Sequence, residues 1–295
     1  MRHCVASCPL PLWRVAPTTP VSAGVGWASR SQLIFRRRET NLGVVELPEP
    51  DSLVAEQIAY YEARAPEYDD WWLRTGRYQP DDDFGHRWDA GKQALQEALV
   101  RFHPAGDVLE LAAGTGNLTS QVATIAERLT AVDSSVEALA IARAKVAGHA
   151  KVTFVHADLF AWHPPRKFDA VVFGFWLSHV PPGRLRPFWK LVDDALKDDG
   201  RVFFVDNGRP VEQAASEADR RPMVAEDATT PWSHTWLERG VSVRELADGR
   251  RFRIVKRAWT PHQLEAELAE LGWGASVHQA EDLFIHATAV RRETS

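Results

Sequence analysis

The chain has 295 residues, of which 45% are hydrophobic and 25% charged, which is typical of a globular protein with a buried core. It contains no run of about 18 apolar residues, so we expect no membrane segment and a cytoplasmic protein. The formal charge of -5 is uneven: residues 1–43 contain six Arg and one acid, whereas the remainder has 29 basic and 39 acidic residues. An acidic body matches a polyphosphate backbone poorly, which favours a small-molecule partner over a nucleic acid.

Residues 1–46 differ in composition from the rest of the chain. They are rich in Pro, Ser and Arg, and no acid precedes Glu39. Three interpretations stay open: a disordered tail or start-site extension, an organelle-targeting segment, and an ordered arm. Both cysteines, Cys4 and Cys8, lie here. Residues 47–295 therefore have no cysteine for a disulfide, a zinc site or a nucleophile.

Two helices are predicted next. The first begins at the N-cap pair Asp51-Ser52 and ends at Ala65-Pro66, because proline disfavours helix in the residue before it. An aromatic, acidic stretch follows, and the second helix runs over about 88–102. We expect residues 47–104 to form a helical lid.

Strands and helices then alternate, which predicts a mostly parallel sheet with helices on both faces. A turn is expected at Lys197–Gly200, before the fifth strand. After residue 206 a hairpin is predicted around Asp248-Gly249, within an insert over residues 207–259 that we expect to cover the acceptor site. A helix beginning at Thr260-Pro261 and two last strands complete a seven-stranded, doubly wound α/β domain. The other predicted strands are 107–111, 129–132, 152–156, 168–173, 201–205, 275–279 and 283–291, and the helices between them are 117–127, 135–147 and 183–196.

The carboxyl ends of the first three strands carry a candidate nucleoside site. The first strand ends in a small-residue turn over Glu110–Gly116, where the backbone can approach a ligand closely. Asp133, after the second strand, can accept both hydroxyls of a ribose. Asp158, after the third strand, is placed to meet an adenine amino group.

Four segments in this order, Glu110–Gly116, Val132–Ser135, His156–Leu159 and Phe168–Phe175, resemble the motifs of class I S-adenosylmethionine-dependent methyltransferases. The resemblance covers residues 51–291 and implies a Rossmann-like fold with S-adenosylmethionine as cofactor. One departure is Ala112, where the family has its first glycine; a small residue still fits. The resemblance places Glu110 near the methionine end, Ala112, Gly114 and Gly116 in the turn, Asp133 and Ser134 at the ribose, Asp158 and Leu159 at the adenine, and Phe175 and Trp176 beside the sulfonium, and we assign Tyr61 to the same site.

Other readings of the motifs stay open. In a nicotinamide-dependent oxidoreductase, the place of Thr119 should hold a third glycine, and Glu110 would repel the pyrophosphate. A catalytically silent module that binds S-adenosylmethionine remains a further alternative. Asp206-Asn207 resembles two ligands of metal-assisted catechol methylation, but Phe175 occupies the place of the third, so we predict no metal.

The expected reaction is transfer of a methyl group to an O, N or C nucleophile of a small molecule. In-line displacement needs mainly alignment, and a base is required only when the acceptor must lose a proton. His179, after the fourth strand, is the candidate base, with a purely structural histidine as the alternative. The aromatic side chains predicted to line the acceptor pocket, with plain packing as their alternative role, are Tyr68, Trp72, Trp176, Trp232 and Trp236. The sequence does not name the acceptor or the oligomeric state.

Overall fold

A computed structural model describes residues 50–80, 82–149, 151–209, 236–237 and 240–292. The predictions for residues 1–46 and for Trp232 lie outside the described residues. Trp236 lies in a short strand, and its side chain is not described. No helix in the described part of the chain is long and apolar enough to span a membrane.

The secondary structure follows the predicted alternation. The helices are α1 Pro50–Leu73, α2 Asp82–Phe102, α3 Asn117–Ile125, α4 Val136–Lys145, α5 Pro182–Ala195 and α6 Pro261–Glu270. The strands are β1 Asp107–Leu111, β2 Arg128–Asp133, β3 Val152–His156, β4 Phe168–Gly174, β5 Leu196–Asn207, β6 Trp236–Leu237, β7 Val241–Glu245, β8 Arg251–Val255, β9 Trp273–Ala280 and β10 Phe284–Arg291.

Seven strands form one sheet in the order β3-β2-β1-β4-β5-β10-β9. The pairs from β3 to β5 are parallel, and β10 runs antiparallel to both of its neighbours. The strand order reverses between β1 and β4, and ligands bind at such a switch point, outside the carboxyl ends of the strands. This sheet confirms the predicted Rossmann-like, doubly wound fold.

The central strands are buried on both faces, as their apolar sequences predict. Along β1, Leu109 and Leu111 belong to the hydrophobic cluster on one face, together with Trp189 of α5. Val108 belongs to the cluster on the opposite face, together with Trp88 of α2. Both layers of helices therefore hold β1 firmly, and the turn that follows it has a fixed position.

Helix α1 is longer than predicted, and its expected end at Ala65-Pro66 is wrong. The helix continues through Pro66 to Leu73. Beyond the proline, Trp71 is buried and packs edge-on against Trp88 at 5.2 Å between ring centroids. Burying a large aromatic side chain outweighs the backbone hydrogen bond that a proline removes.

The turn expected at Lys197–Gly200 is also wrong. These residues form an irregular part of β5, where the pairing with β4 shifts between Phe168 and Ala170. The Lys197 ammonium lies 2.7 Å from the Asp169 carboxylate, which fixes the segment beside β4. The strand therefore starts at Leu196, directly after α5.

The residues before α6 form a second, three-stranded sheet of β6, β7 and β8. Its hairpin turn contains Gly249 at a φ of 84°, which confirms the predicted Asp248-Gly249 turn. Helix α1 lies against this sheet: the Glu56 carboxylate accepts hydrogen bonds from Arg253, and Gln57 accepts one from the Val255 amide at 3.0 Å. The hairpin thus places α1 over the carboxyl edge of the large sheet.

Candidate active site

The turn after β1 presents backbone to a cavity. Gly116 has a φ of 85°, and a Cβ there would lie 2.8 Å from the Cα of Ala142, so close packing against α4 requires glycine. A Cβ on Gly114 would meet no atom within 4 Å, which leaves this side of the turn open. Ala112 has a φ of 53°, a left-handed conformation that is strained for alanine by about 1–2 kcal/mol.

A first space, the cofactor cavity, lies between α1 and the ends of β1 to β4. It brings together the predicted residues Tyr61, Ala112, Gly114, Asp133, Ser134, Asp158, Leu159, Phe175 and Trp176, with His179 and Tyr68 at one end. Gly116 is absent from this lining because it packs against α4. Glu110 faces a different space, described below.

Backbone amides from the turn after β1 and from the residues after β2 hold the Asp133 carboxylate in place. Its carboxylate accepts a hydrogen bond from the Gly114 amide at 2.7 Å and another from the Ser135 amide at 2.8 Å. Burial raises the pKa of Asp133, and these two amides oppose that rise. Each carboxylate oxygen keeps a second lone pair, so Asp133 can still accept the hydroxyls of a ribose.

At the end of β3, Asp158 is exposed and Leu159 is buried. The Asp158 carboxylate accepts a hydrogen bond from the Phe160 amide at 2.9 Å. This bond fixes the carboxylate at the rim of the cofactor cavity while Leu159 forms part of its apolar wall. An acceptor beside an apolar wall suits a flat ring that carries an amino group.

A second space, the tail cavity, lies between α2 and the ends of β1, β4 and β5. Its walls include Glu110, Lys92, Gln96 and Trp72. Among the described residues, one carboxylate oxygen of Glu110 is buried without a hydrogen-bond partner. Burial raises the pKa of Glu110 to about 8, and the nearby Asp133 adds to this effect. An ammonium group in the tail cavity would satisfy this carboxyl.

A third space, the cation pocket, adjoins the cofactor cavity. Its lining is Tyr61, Arg64, Tyr68, Trp71, Phe175, His179, Asn207, Arg244 and Lys256. Tyr68 and Phe175 line all three spaces, so the cavities meet at these two rings. Phe175 has a φ of 53°, which for a bulky residue is a strained conformation typical of functional sites.

His179 is buried, and both of its ring nitrogens have partners. Nδ1 lies 2.7 Å from the Val255 carbonyl oxygen, and Nε2 lies 2.8 Å from the Tyr61 hydroxyl. A carbonyl can only accept, so Nδ1 carries the proton and Nε2 accepts from the tyrosine. Burial lowers the pKa of His179 well below its usual value, and Lys256, Arg244 and Arg64 lower it further. The ring is therefore neutral, and it positions Tyr61.

The predicted aromatic residues fall into different spaces. Tyr68 lines all three spaces, whereas Trp72 lines the tail cavity and Trp176 the cofactor cavity. Trp176 also packs against Phe160, with 5.7 Å between ring centroids. Trp72 and Trp176 thus line different spaces among the described residues, and their role toward an acceptor stays a prediction.

A set of hydrogen bonds links α1 to the turn after β1, and the sequence did not predict it. The Asp69 carboxylate accepts hydrogen bonds from the Thr115 hydroxyl at 2.8 Å and from the Asn117 amide group at 3.1 Å. Lys145 of α4 lies 2.7 Å from the same carboxylate. These contacts hold α1 over the glycine turn, and no spacing in the sequence indicates them.

The sequence also did not predict the three cations that line the cation pocket, Arg64, Arg244 and Lys256. Arg64 could have been noticed because Tyr60, Tyr68 and Trp71 lie on the same face of a continuous helix. The predicted helix end at Pro66 hid this pattern. In the described part of the chain, no group of three or more His, Cys, Asp or Glu side chains could hold a metal ion.

Comparisons with known proteins match this chain to a methyltransferase domain and to two solved complexes of DhpI. A family model for a methyltransferase domain matches residues 108–200. The DhpI–SAH complex is 34% identical, with a TM-score of 0.65, and the match covers 83% of this chain and 100% of that one. The DhpI–SAM–HEP complex is 36% identical, with a TM-score of 0.64, and this match covers 81% of this chain and 97% of that one.

A sequence relative is the demethylmenaquinone methyltransferase of Clavibacter sepedonicus, 35% identical over 109 residues. This match covers 35% of the present chain and 42% of the relative, so the chain spans less than half of that protein's length. The likeness to the two DhpI complexes is broader, because it covers 83% and 81% of this chain.

Proposed function

Because this chain belongs to the class I S-adenosylmethionine-dependent methyltransferases, we propose that it transfers a methyl group from S-adenosylmethionine to a small-molecule nucleophile by in-line displacement. The observation that carries the proposal is the junction of the cofactor cavity with the cation pocket, which share Tyr61, Tyr68, Phe175 and His179. A donor and an acceptor in these two spaces would meet at the shared residues. The similar protein DhpI is known in a complex with both SAM and HEP, which supports a site for two small molecules.

The residues of the two larger spaces fit the cofactor. Asp133 would accept the ribose hydroxyls, and Asp158 would accept the adenine amino group beside Leu159. The Gly114 backbone leaves room for the chain between nucleoside and amino acid. The unpartnered oxygen of Glu110 would take the ammonium of the methionine tail. When bound, the cofactor supplies a methyl group that is already activated on a sulfonium.

The role of the protein is then to align the acceptor and to exclude water. Holding two reactants in line removes about 7–11 kcal/mol of entropic and solvent barrier in favourable cases. The rings of Tyr68 and Phe175 enclose the junction. Helix α1 carries Tyr61 and Tyr68, so residues 47–104 would act as a lid, and the hairpin within residues 207–259 would cover the acceptor.

Ligand binding and turnover test the proposal. S-adenosylmethionine at about 100 times its Kd should stabilise the protein by about 2.7 kcal/mol and raise Tm by several degrees, whereas NAD should not. S-adenosylhomocysteine should then accumulate when the protein is given a mixture of small-molecule acceptors. A Tm shift with NAD alone would establish an oxidoreductase, and binding without turnover on any acceptor would establish a silent module.

A further inference from the structure

The hydrogen bonds around Asp69 lie where the two larger cavities meet. Tyr68, which precedes Asp69 in α1, lines both the cofactor cavity and the tail cavity. On the opposite wall, Gly114 and Thr115 of the turn after β1 also line both spaces. The hydrogen bond from the Thr115 hydroxyl to the Asp69 carboxylate, at 2.8 Å, therefore connects α1 to the turn beside the passage between the two cavities.

A bound cofactor would occupy this passage. With the nucleoside in the cofactor cavity and the methionine tail in the tail cavity, the atoms that join them would lie between Tyr68 and the Gly114 backbone. A bond between α1 and the turn then stands beside the middle of the ligand. It obstructs the way out of the passage on that side.

Four side chains form this connection. Besides the Thr115 hydroxyl, the Asp69 carboxylate accepts a hydrogen bond from the side chain of Asn117, at the start of α3, at 3.1 Å. The Lys145 ammonium, at the end of α4, lies 2.7 Å from the Asp69 carboxylate and donates to the Asn117 side-chain oxygen at 2.7 Å. We call Asp69, Thr115, Asn117 and Lys145 the latch. Asp69 is its common acceptor, so removing this one carboxylate removes the tie between α1 and the turn.

The latch is a weak attachment compared with the one in the first half of α1. The side chains of Asp69 and Lys145 keep 28% and 26% of their surface exposed. An ion pair that water and salt can reach contributes little to stability. Gln57, by contrast, is buried, and its side chain bonds both the Val255 amide and the His179 carbonyl oxygen at 3.0 Å. The latch can therefore open while α1 keeps its contact with the hairpin.

The turn is the part that can yield when the latch opens. Trp71 holds the adjacent end of α1 on α2, with 5.2 Å between its ring centroid and that of Trp88. Gly114 has a φ of 54°, and a Cβ there would meet no atom within 4 Å. Because glycine accepts a wide range of backbone conformations, the turn can shift at this residue at small cost. Such a shift would widen the passage between the cavities.

We propose that the latch controls the exchange of the cofactor: Asp69 is a positioning residue that closes the turn against α1, and S-adenosylhomocysteine leaves after methyl transfer when the latch opens. This inference rests on the proposed function. The opening lies on the way in and on the way out, so loss of the latch lowers both barriers. The rates of association and dissociation should therefore change more than the dissociation constant.

The first experiment measures how fast S-adenosylhomocysteine dissociates. The radiolabelled ligand is bound to the full chain and displaced by an excess of unlabelled ligand, in the wild type, in Asp69→Asn and in the control Asp194→Asn. Asp194 is an exposed carboxylate of α5 that pairs with Lys190. We expect dissociation from Asp69→Asn to be about 10-fold faster, because a charge-assisted hydrogen bond of the closed state is lost, with a dissociation constant within about threefold of the wild type. The control should match the wild type.

The second experiment uses ionic strength, which provides a readout that a merely structural role would not move. Salt screens a partly exposed ion pair, so dissociation from the wild type should accelerate between roughly 0.1 and 1 M NaCl. Asp69→Asn has already lost the pair with Lys145, and its dissociation rate should respond little. Lys145→Met should behave like Asp69→Asn, and the double variant should add little to either, because the two residues act as one unit.

Equal dissociation rates in the wild type and Asp69→Asn would overturn the proposal. A lower melting temperature of Asp69→Asn with an unchanged dissociation rate would also overturn it, since the latch would then serve only the fold. Should Asp69→Asn fail to fold, Lys145→Met and the salt dependence of the wild type give the same decision. If the wild type does not bind S-adenosylhomocysteine at all, the proposed function itself fails, and the two failures are thereby distinguished.

Discussion

The two sides of the central crevice are built in different ways. On the cofactor side, Glu110 lies near the end of β1, Asp133 ends β2 and Asp158 follows β3, and the polar groups include carboxyls and backbone amides. On the acceptor side, Arg64 comes from α1 and Arg244 from the hairpin, and the described lining combines cations with the polar side chains of Tyr61 and Asn207. The ammonium group of a methionine tail would meet the Glu110 carboxyl on the cofactor side. The comparison indicates that residues at the ends of neighbouring strands build one side, whereas residues far apart in the sequence build the other.

The largest effect should come from the cofactor side. Asp133→Ala should weaken binding of S-adenosylmethionine by about 1.5–3 kcal/mol, because charge-assisted hydrogen bonds to the ribose are lost. Calorimetry measures this, with Asp194→Ala as a control in which an exposed carboxylate paired with Lys190 is removed. Equal affinities of the two variants would remove Asp133 from the cofactor site.

The stability of the ligand-free protein should depend on pH through Glu110. Burial raises its pKa in the folded protein to about 8, above its ordinary value of 4.5. Between these values the folded state binds more protons than the unfolded state, so the ligand-free protein should lose stability as pH rises from about 4.5 to 8. Glu110→Gln should remove this loss and stabilise the protein by roughly 1–3 kcal/mol at pH 8.5, with little change at pH 4.5.

Urea unfolding at the two pH values measures the effect, and binding of S-adenosylmethionine provides the second readout. The variant should bind the cofactor more weakly, because a neutral amide does not compensate an ammonium. A gain in stability that is the same at both pH values would show that Glu110 does not titrate in this range.

On the acceptor side, His179 distinguishes a base from a positioning residue. With an acceptor that needs no base, such as a carboxylate or a free amine, His179→Ala should lower the methyl-transfer rate by about tenfold or less, through the lost support of Tyr61. Tyr61→Phe, which removes the hydroxyl bonded to His179, should have a similar effect. A loss of about 10²–10⁴-fold in His179→Ala, with a pH-dependent rate in the wild type, would instead identify a general base.

The smallest expected effect is a change in stability caused by a substitution in the turn after β1. Ala112 has a left-handed backbone at the family's glycine position, so Ala112→Gly should stabilise the protein by about 0.5–1 kcal/mol and leave cofactor affinity nearly unchanged. Ala113→Gly is the matched control, since Ala113 is not among the residues with positive φ, and it should be neutral or destabilising. Destabilisation by Ala112→Gly in thermal unfolding would contradict the strain.

The cofactor side could be predicted because its information is local in sequence. Apolar runs fix the strands, parallel strands end at one edge of the sheet, and residues that follow them therefore meet. The order of the motifs at Gly114, Asp133 and Asp158 was enough to locate the cavity. The sheet confirms the fold, whereas the roles of these residues stay predictions until binding is measured.

Tertiary structure alone decided the acceptor side. Helix α1 continues past Pro66, and Trp71 beyond the proline packs against Trp88. Only a continuous helix places Tyr68 and Trp71 beside Arg64. The Gln57 side chain bonds the Val255 amide across 198 positions in the sequence. Such a contact leaves no local period or spacing, because its energy comes from burying distant segments against each other. The sequence by itself therefore determined the sheet and the order of the residues predicted to bind the nucleoside, and packing between α1 and the hairpin determined which side chains lie between these two elements.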